Sequence, residues 1–242
     1  MKLQLLTWQE VDDYLRNSNG IIVPVGSTEQ HGPIGLIGTD TLCAEDIAER
    51  AAEIAGAVVA PALAYTPAPF NMAFAGTVSV NPETFRTVAH EVFSSLAQHG
   101  FSRIYVLNAH GANLEPLRGA KVSAADIRIK SWWDFDVVDI IRDELFGEWE
   151  GMHATPSEIS ITQATRRIVD APPPPRPDAP LSLEFLKAHA GDRHGPPEQH
   201  RADFPDGRVG ADSALATPEH GERLLSAAAQ AVAEDYLEFL NS

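Results

Sequence analysis

Ile21-Ile22-Val23-Pro24-Val25 is an apolar run too short for a helix and rich in β-branched residues, so it reads as a buried strand that breaks at Gly26-Ser27. Arg103-Ile104-Tyr105-Val106-Leu107 is a clearer strand of the same kind. Ala57-Val58-Val59-Ala60 and the segment from Ile127 to Trp133 are further candidates. Helical segments fall between them. Thr7-Trp8-Gln9-Glu10 has capping-box spacing and opens a first helix that stops near Ser18-Asn19-Gly20. Residues 41–55 have helical composition. Asn81-Pro82-Glu83 supplies an N-cap, a first-turn proline and an early acid for a helix reaching His99-Gly100, and a helical segment lies near 114–125. Strands that alternate with such helices pair in parallel through right-handed crossovers, which predicts an α/β chain with a layered, open sheet.

A helix near 157–168 precedes Ala171-Pro172-Pro173-Pro174-Pro175-Arg176-Pro177, an extended connector because proline removes donors and fixes φ. From there to about 212 the chain is rich in Pro, Gly, Asp and His, apart from a short helix at 181–189. A stretch this long is no simple turn, and residues 170–212 are expected to form a lid or an interface arm. Thr217-Pro218-Glu219 then opens a final amphipathic helix to Leu240. There is no internal repeat. A single domain over 1–242 is the expected organisation, and at this length it buries roughly 70–75% of its unfolded surface without cross-links.

The chain carries 34 acidic against 18 basic residues, a net charge of −16. A polyanion would be repelled over most of such a surface, which excludes nucleic acid and anionic membranes as partners. Its one cysteine, Cys43, excludes an intrachain disulfide and a thiolate-rich metal site, so any metal must be held by His and carboxylates. The N-terminal Met1-Lys2-Leu3-Gln4-Leu5-Leu6 turns polar at once, and no stretch approaches the roughly 18 apolar residues of a membrane span. A cytoplasmic protein is expected.

The densest polar cluster is Gly26-Ser27-Thr28-Glu29-Gln30-His31-Gly32, followed by Thr39-Asp40. Glu29 and His31 are two apart, so in an extended segment their side chains point to the same side. Asp40 stands where the next helix begins. A second cluster, Asn108-Ala109-His110-Gly111-Ala112-Asn113, follows the strand ending at Leu107. Loops after parallel strands gather at the carboxyl edge of the sheet, so the two clusters should face each other. Glu29, His31, Asp40 and His110 offer oxygen and nitrogen donors suited to Zn²⁺, Mn²⁺ or Fe²⁺. They exceed what one catalytic ion uses; two ions about 3.5–4 Å apart, bridged by a carboxylate such as Asp40, use them more economically. A third segment places His153 just before a helix and Glu158 in its first turn. Glu158 either complements the helix dipole or completes a metal shell, and His153 is placed to protonate a leaving amine.

Each residue alone has a plainer reading: a cap or surface acid for Glu29 or Asp40, a hydrogen-bonded loop histidine for His110. Their clustering at one predicted sheet edge is what favours a metal site. Ser27 lies beside His31, but Gly-x-Ser-x-Gly is absent and a loop or cap residue is the better reading. Cys43 reads as a packed core thiol. His90, His99, His189, His194, His200 and His220 carry no spacing argument, although those at 189–200 fall in the expected lid.

Pro24-Val25-Gly26-Ser27-Thr28-Glu29-Gln30-His31-Gly32 with Thr39-Asp40, then Asn-x-His-Gly-x-Asn at 108–113, then His153-Ala154 with Glu158 and Ser160, resembles the creatininase (creatinine amidohydrolase) family. The late Gly207-Arg208-Val209-Gly210-Ala211-Asp212 turn and the Ala216-Thr217-Pro218-Glu219 helix start share in the resemblance, which runs from about residue 5 to 240. It implies a three-layer αβα sandwich with a mostly parallel central sheet and a homohexamer built from dimers. It also implies a binuclear divalent metal centre that hydrolyses a non-peptide or cyclic C–N bond of a small-molecule amide. Carried over, Glu29, Asp40 and His110 hold one ion, His31 and Asp40 the other, and Asp40 bridges them. A metal-bridging hydroxide then attacks the amide carbonyl while His153 protonates the departing nitrogen. Trp133 and Trp149 resemble the pair that encloses the substrate, though plain core packing is an equal reading of them.

This chain departs from creatininase proper at two positions. Ala112 stands where that enzyme has a metal-ligating Glu, which leaves Glu158 as the replacement donor. Met152 stands where it has a Glu before the third-motif His. A shared aromatic wall with a missing acid implies a substrate other than creatinine. Within the family the alternatives are a formamide deformylase and a mycofactocin-type peptidase; outside it, a non-catalytic metal-binding oligomer.

Overall fold

The protein, described over residues 1–242 by a computed structural model, is organised around four strands. These are β1 (Gly20–Val25), β2 (Val58–Val59), β3 (Arg103–Asn108) and β4 (Asp126–Ser131), in the order β2-β1-β3-β4 with every pairing parallel. Nine α-helices accompany them. Before the last strand come α1 (Trp8–Leu15), α2 (Thr39–Ala55), α3 (Pro82–Gln98) and α4 (Leu114–Gly119). After it come α5 (Asp136–Phe146), α6 (Pro156–Thr165), α7 (Leu183–Ala188), α8 (Pro197–Asp203) and α9 (Pro218–Leu240). No helix is long and apolar enough to cross a membrane.

The β1 and β3 side chains alternate between two cores, as the two-residue period of a strand requires. Ile22, Tyr105 and Leu107 pack with Ile47 and Ala48 of α2 and with Leu224, Ala228 and Val232 of α9. Ile21, Val23, Ile104 and Val106 face the other way, against Phe85, Ala89 and Phe93 of α3. Burial on both faces is why these strands read as unbroken apolar runs. The result is the expected three-layer αβα sandwich. On its larger side α9 lies against α2 and α6, which brings the α6 N-terminus beside that of α2.

Local lengths differ from those read in the sequence. The 57–60 candidate pairs over two residues only, α1 ends at Leu15, and α4 stops at Gly119. β4 ends at Ser131, so Trp132 and Trp133 leave the sheet edge instead of extending the strand. The structure also adds α5 and α8. In α5 the β-branched Val137, Val138, Ile140 and Ile141 argue locally for a strand, and Phe135 at the N-cap offers no side-chain acceptor. Tertiary burial of Val138, Ile141 and Phe146 on one stripe decides for helix.

Register matters most for function. Val25 pairs with Asn108 and Asn108 with Ser131, so β1, β3 and β4 end level and release their loops at one edge.

Candidate metal centre

Immediately after β1, a Cβ on Gly26 would lie 2.2 Å from the Thr41 backbone nitrogen, so glycine lets the α2 N-terminus seat against the strand end. The loop between them is folded back by Thr41 Oγ1 donating to the Ser27 carbonyl (2.9 Å) and the Glu29 amide donating to Ile37 (2.8 Å). Glu29, His31 and Asp40 thereby converge. His110 enters from the β3 loop, whose shape Asn108 holds by donating to the His110 carbonyl (2.9 Å) and accepting from its amide (3.2 Å). Glu158 arrives in the first turn of α6, where its Oε1 accepts from the Thr155 amide at 2.6 Å in a capping box.

His31 Nδ1 donates to the Glu29 carbonyl at 3.1 Å, which turns Nε2 toward Asp40 Oδ1 (2.9 Å) and Glu158 Oε1 (3.9 Å). His110 Nε2 donates to the Pro67 carbonyl at 2.8 Å, which turns Nδ1 toward Glu29 Oε1 and Asp40 Oδ2, both at 3.2 Å. In each ring a backbone carbonyl selects the tautomer and aims the other nitrogen at carboxylates, the arrangement metal-binding imidazoles need. Donor atoms gather within 4.8 Å as Glu29/Asp40/His110, as His31/Asp40/Glu158 and as Glu29/His31/His153. Asp40 belongs to the first two sets. None of these six side chains belongs to a residue more than 8% exposed. Glu29 Oε1 and Asp40 Oδ2 are buried without an aligned hydrogen bond. Buried carboxylate oxygens are costly in that condition, and a divalent cation is the partner that such a donor set fits.

Crowding also sets the protonation. Burial disfavours a charged His31, but Asp40, Glu158 and Glu29 raise it to about 10. His110 rises well above the ordinary histidine value against the same burial, through Glu29 and Asp40. Burial opposes charge on Asp40 and Glu29 too, yet the neighbouring histidines hold both below the usual carboxylate range. Burial pushes Glu158 up to about 7. Burial and His31 lower His153 to about 3, which makes it a neutral imidazole.

The family model described as creatinine amidohydrolase matches residues 4–236. The chain belongs to the creatininase family. Creatinine amidohydrolase of Pseudomonas putida is 28% identical over 196 residues, covering 69% of this chain and 75% of that one. A mycofactocin precursor peptide peptidase of Mycolicibacterium smegmatis is 40% identical over 106 residues, 41% of this chain and 42% of the relative. A 3-dehydro-scyllo-inosose hydrolase of Thermotoga maritima is 35% identical over 109 residues, 45% of this chain and 35% of the relative. Those last two matches span less than half of either protein. Among solved structures, creatinine amidohydrolase (creatininase) superposes with a TM-score of 0.79 at 23% identity, covering 100% of this chain and 98% of that one. A manganese creatininase gives 0.73 at 25%, covering 100% and 99%. The fold and the hydrolase class are those of the creatininase family.

Beside the metal-type cluster lies a cavity of about 280 Å³, lined by Asp40, His110, His153 and Glu158 and by Trp132, Trp133, Arg142, Met152 and Asp192. Trp133 therefore borders it. Trp149 does not; its ring is covered by the Arg176 guanidinium at 4.9 Å. Trp132, the residue after the end of β4, also borders it, although only 2% of it is exposed and it packs in the larger core. Ser27 is buried outside the lining. Cys43 sits in the larger core, its thiol 3.5 Å from the Glu158 carbonyl.

Sequence spacing did not reveal Asn71, Arg142 or Asp192. Asn71 Nδ2 donates to Glu29 Oε2 at 2.9 Å, and Asn71 Oδ1 accepts from Gln30 Nε2 at 2.8 Å. Gln30 also reaches His153 through its backbone, whose carbonyl accepts from His153 Nε2 at 2.7 Å. Asn71 lies in the Pro- and Gly-containing 61–81 stretch, Arg142 on α5 and Asp192 in the 170–212 segment, so no motif marked them.

Proposed function

We propose that this creatininase-family chain is a metal-dependent amidohydrolase that cleaves a non-peptide C–N bond, in a cyclic amide or a comparable small amide. Glu29, Asp40 and His110 hold one divalent ion and His31, Asp40 and Glu158 the other, with Zn, Mn or Fe as the candidate metals. The observation that carries this reading is the meeting of two buried donor sets at Asp40, with carboxylate oxygens left unpartnered beside imidazole nitrogens. When bound, such an ion pair supplies Lewis-acid polarisation of a carbonyl and a water acidified toward neutral pH.

The chain's own groups do the rest. Asn71 fixes Glu29 by one oxygen and leaves the other facing His110. His153, pinned through Nε2 to the Gln30 carbonyl, keeps Nδ1 as an acceptor 3.6 Å from Glu29 Oε1. There it would take the proton given up by the attacking water and hand it to the departing nitrogen, which leaves as the amine while the carbonyl carbon keeps the hydroxyl. Trp133 offers a flat wall to a planar amide, with the nearly buried Trp132 set edge-on to it (ring planes 80° apart), and a chamber of about 280 Å³ suits a small molecule. Met152 in the lining supports a substrate other than creatinine, since an apolar side chain offers an amidine-bearing ring no acceptor. A hexamer is carried as part of the family reading, with light scattering as its check.

The test is metal analysis of chain purified without chelator, followed by a screen of cyclic ureides, lactams, formamides and short peptides with Mn²⁺ or Zn²⁺, reading released amine. Close to two ions per subunit and turnover of a cyclic amide are expected. Fewer than one tightly bound ion, or no hydrolysis of any class, would remove the proposal. A peptidase reading stands second, favoured by the similarity to the mycofactocin precursor peptide peptidases and by a cleft of about 1250 Å³ adjoining the chamber. Cleavage confined to the peptides would make it first.

A further inference from the structure

Asp192 comes from the stretch between α7 and α8, far in sequence from every motif of the site, yet its side chain is only 11% exposed. Its backbone is left-handed, with φ of 55°, and only one other non-glycine residue has a positive φ: Ala154, next to His153. Aspartate is one of the few non-glycine residues that adopt this conformation readily, and here it aims the carboxylate at the His110 loop. Asp192 Oδ2 accepts from the Ala112 amide at 3.0 Å and lies 3.6 Å from His110 Nδ1. A Cβ at position 111 would fall 2.4 Å from that same oxygen, so Gly111 leaves the slot the carboxylate fills. Gly191 and Asp192 also form a wall shared by the metal-lined chamber and the larger cleft.

Donor atoms on one tetrahedral ion, each about 2.0–2.2 Å from it, lie about 3.4 Å apart. Glu29 Oε1 and Asp40 Oδ2 are 3.2 Å from His110 Nδ1, and Asp192 Oδ2 is 3.6 Å from it. A third carboxylate pressed toward Glu29 and Asp40 is repelled by both; in the metal-free chain the His110 imidazolium offsets part of that repulsion, and a divalent cation among them would offset more of it.

We propose that Asp192 is a carboxylate of the metal centre, delivered by the 183–203 segment to the ion held by Glu29, Asp40 and His110, directly or across one water. Ion binding and docking of that segment are then one linked equilibrium: the ion favours the docked arm, and the docked arm tightens the ion. The inference requires that the chain bind an ion, as proposed above, but not that any particular substrate be turned over.

Asp192→Asn separates this role from a structural one, because the asparagine oxygen still accepts from Ala112 while the charge is gone. The measurements are Zn²⁺ and Mn²⁺ stoichiometry, affinity by chelator competition, and hydrogen exchange of residues 183–203 with and without metal. In the wild type, metal should slow exchange across the segment. In Asp192→Asn, one ion should bind about 10–100-fold more weakly and the metal-dependent slowing should vanish, with the metal-free melting temperature unchanged. Glu184→Gln, an exposed acid within the same segment, should behave as wild type. Equal affinities in Asp192→Asn and wild type, or an arm whose exchange ignores metal, would overturn this inference alone. A wild-type chain that binds no ion would overturn it together with the amidohydrolase reading.

Discussion

Replacing Asp40 by Ala should abolish binding of both ions at once. Its Oδ1 lies 2.9 Å from His31 Nε2 and its Oδ2 3.2 Å from His110 Nδ1, so it is the one residue common to the two donor sets that include those nitrogens. Without it one set keeps only His31 and Glu158, and the other keeps Glu29 and His110 with Asp192 of the arm beside them. An ion present at about 100 times its Kd stabilises the folded chain by about 2.7 kcal/mol, and two independent ions by about twice that. For a domain of this size each kcal/mol moves Tm by about 2–4 °C. Saturating Zn²⁺ or Mn²⁺ should therefore raise the wild-type Tm by about 10–20 °C, and the shift should fall to near zero in Asp40→Ala. Glu158→Gln is the internal contrast. It preserves an oxygen for the capping bond from the Thr155 amide, drops the charge facing His31, and should keep one ion and about half the shift. Thermal unfolding across a metal titration, with ion content measured on the same samples, reads both. An Asp40→Ala chain that is folded, retains one ion per subunit and keeps half the shift would refute the shared-ligand geometry.

Two further outcomes follow from the same atoms. Gly26→Ala places a methyl 2.2–2.3 Å from the Thr41 backbone, which no side-chain rotation relieves; it should cost about 1–3 kcal/mol or more and weaken metal binding as Asp40 is displaced. A melting temperature and metal affinity equal to wild type would contradict the close packing of α2 on the β1 end. For pH, the folded state raises His31 from 6.5 to about 10, so its stabilisation is complete below pH 6.5 and is lost as pH rises toward 10; Glu158, raised from 4.5 to about 7, loses stability in the same direction across that lower window. Metal-free chain in chelator should melt at progressively lower temperature from about pH 6.5 to 10, above the window in which the lowered His153 opposes Glu158, while metal affinity should increase over that range as protons leave the imidazoles; a melting temperature that climbs instead would reject this protonation pattern.

Glu29, His31, Asp40 and His110 were legible because each stands next to a strand end or a helix start, and parallel topology carries those positions to one edge. Their neighbours were not. Asn71 braces Glu29 from a stretch with no periodicity, and Arg142 sits on a helix whose residues favour a strand by propensity. The tryptophans show the same boundary between local and tertiary information. Trp132 and Trp133 were read as the end of a strand, but β4 stops at Ser131 and both border the chamber, whereas Trp149 is covered by Arg176.

By itself, then, the sequence determined the layered α/β plan, the lack of cysteines for an intrachain disulfide or a thiolate-rich metal site, and the donors that converge, because these follow from strand period, from composition and from loops emerging at one sheet edge. Only the tertiary structure decided which carboxylate faces which imidazole nitrogen, which tryptophans meet the cavity, and that Asp192 reaches the site from a segment with no motif. Those choices rest on contacts between residues distant in sequence: the Pro67 carbonyl on His110, the Glu158 carboxylate facing His31, the Ala112 amide on Asp192. Spacing along the chain carries no record of such contacts, since they are made only when the layers pack.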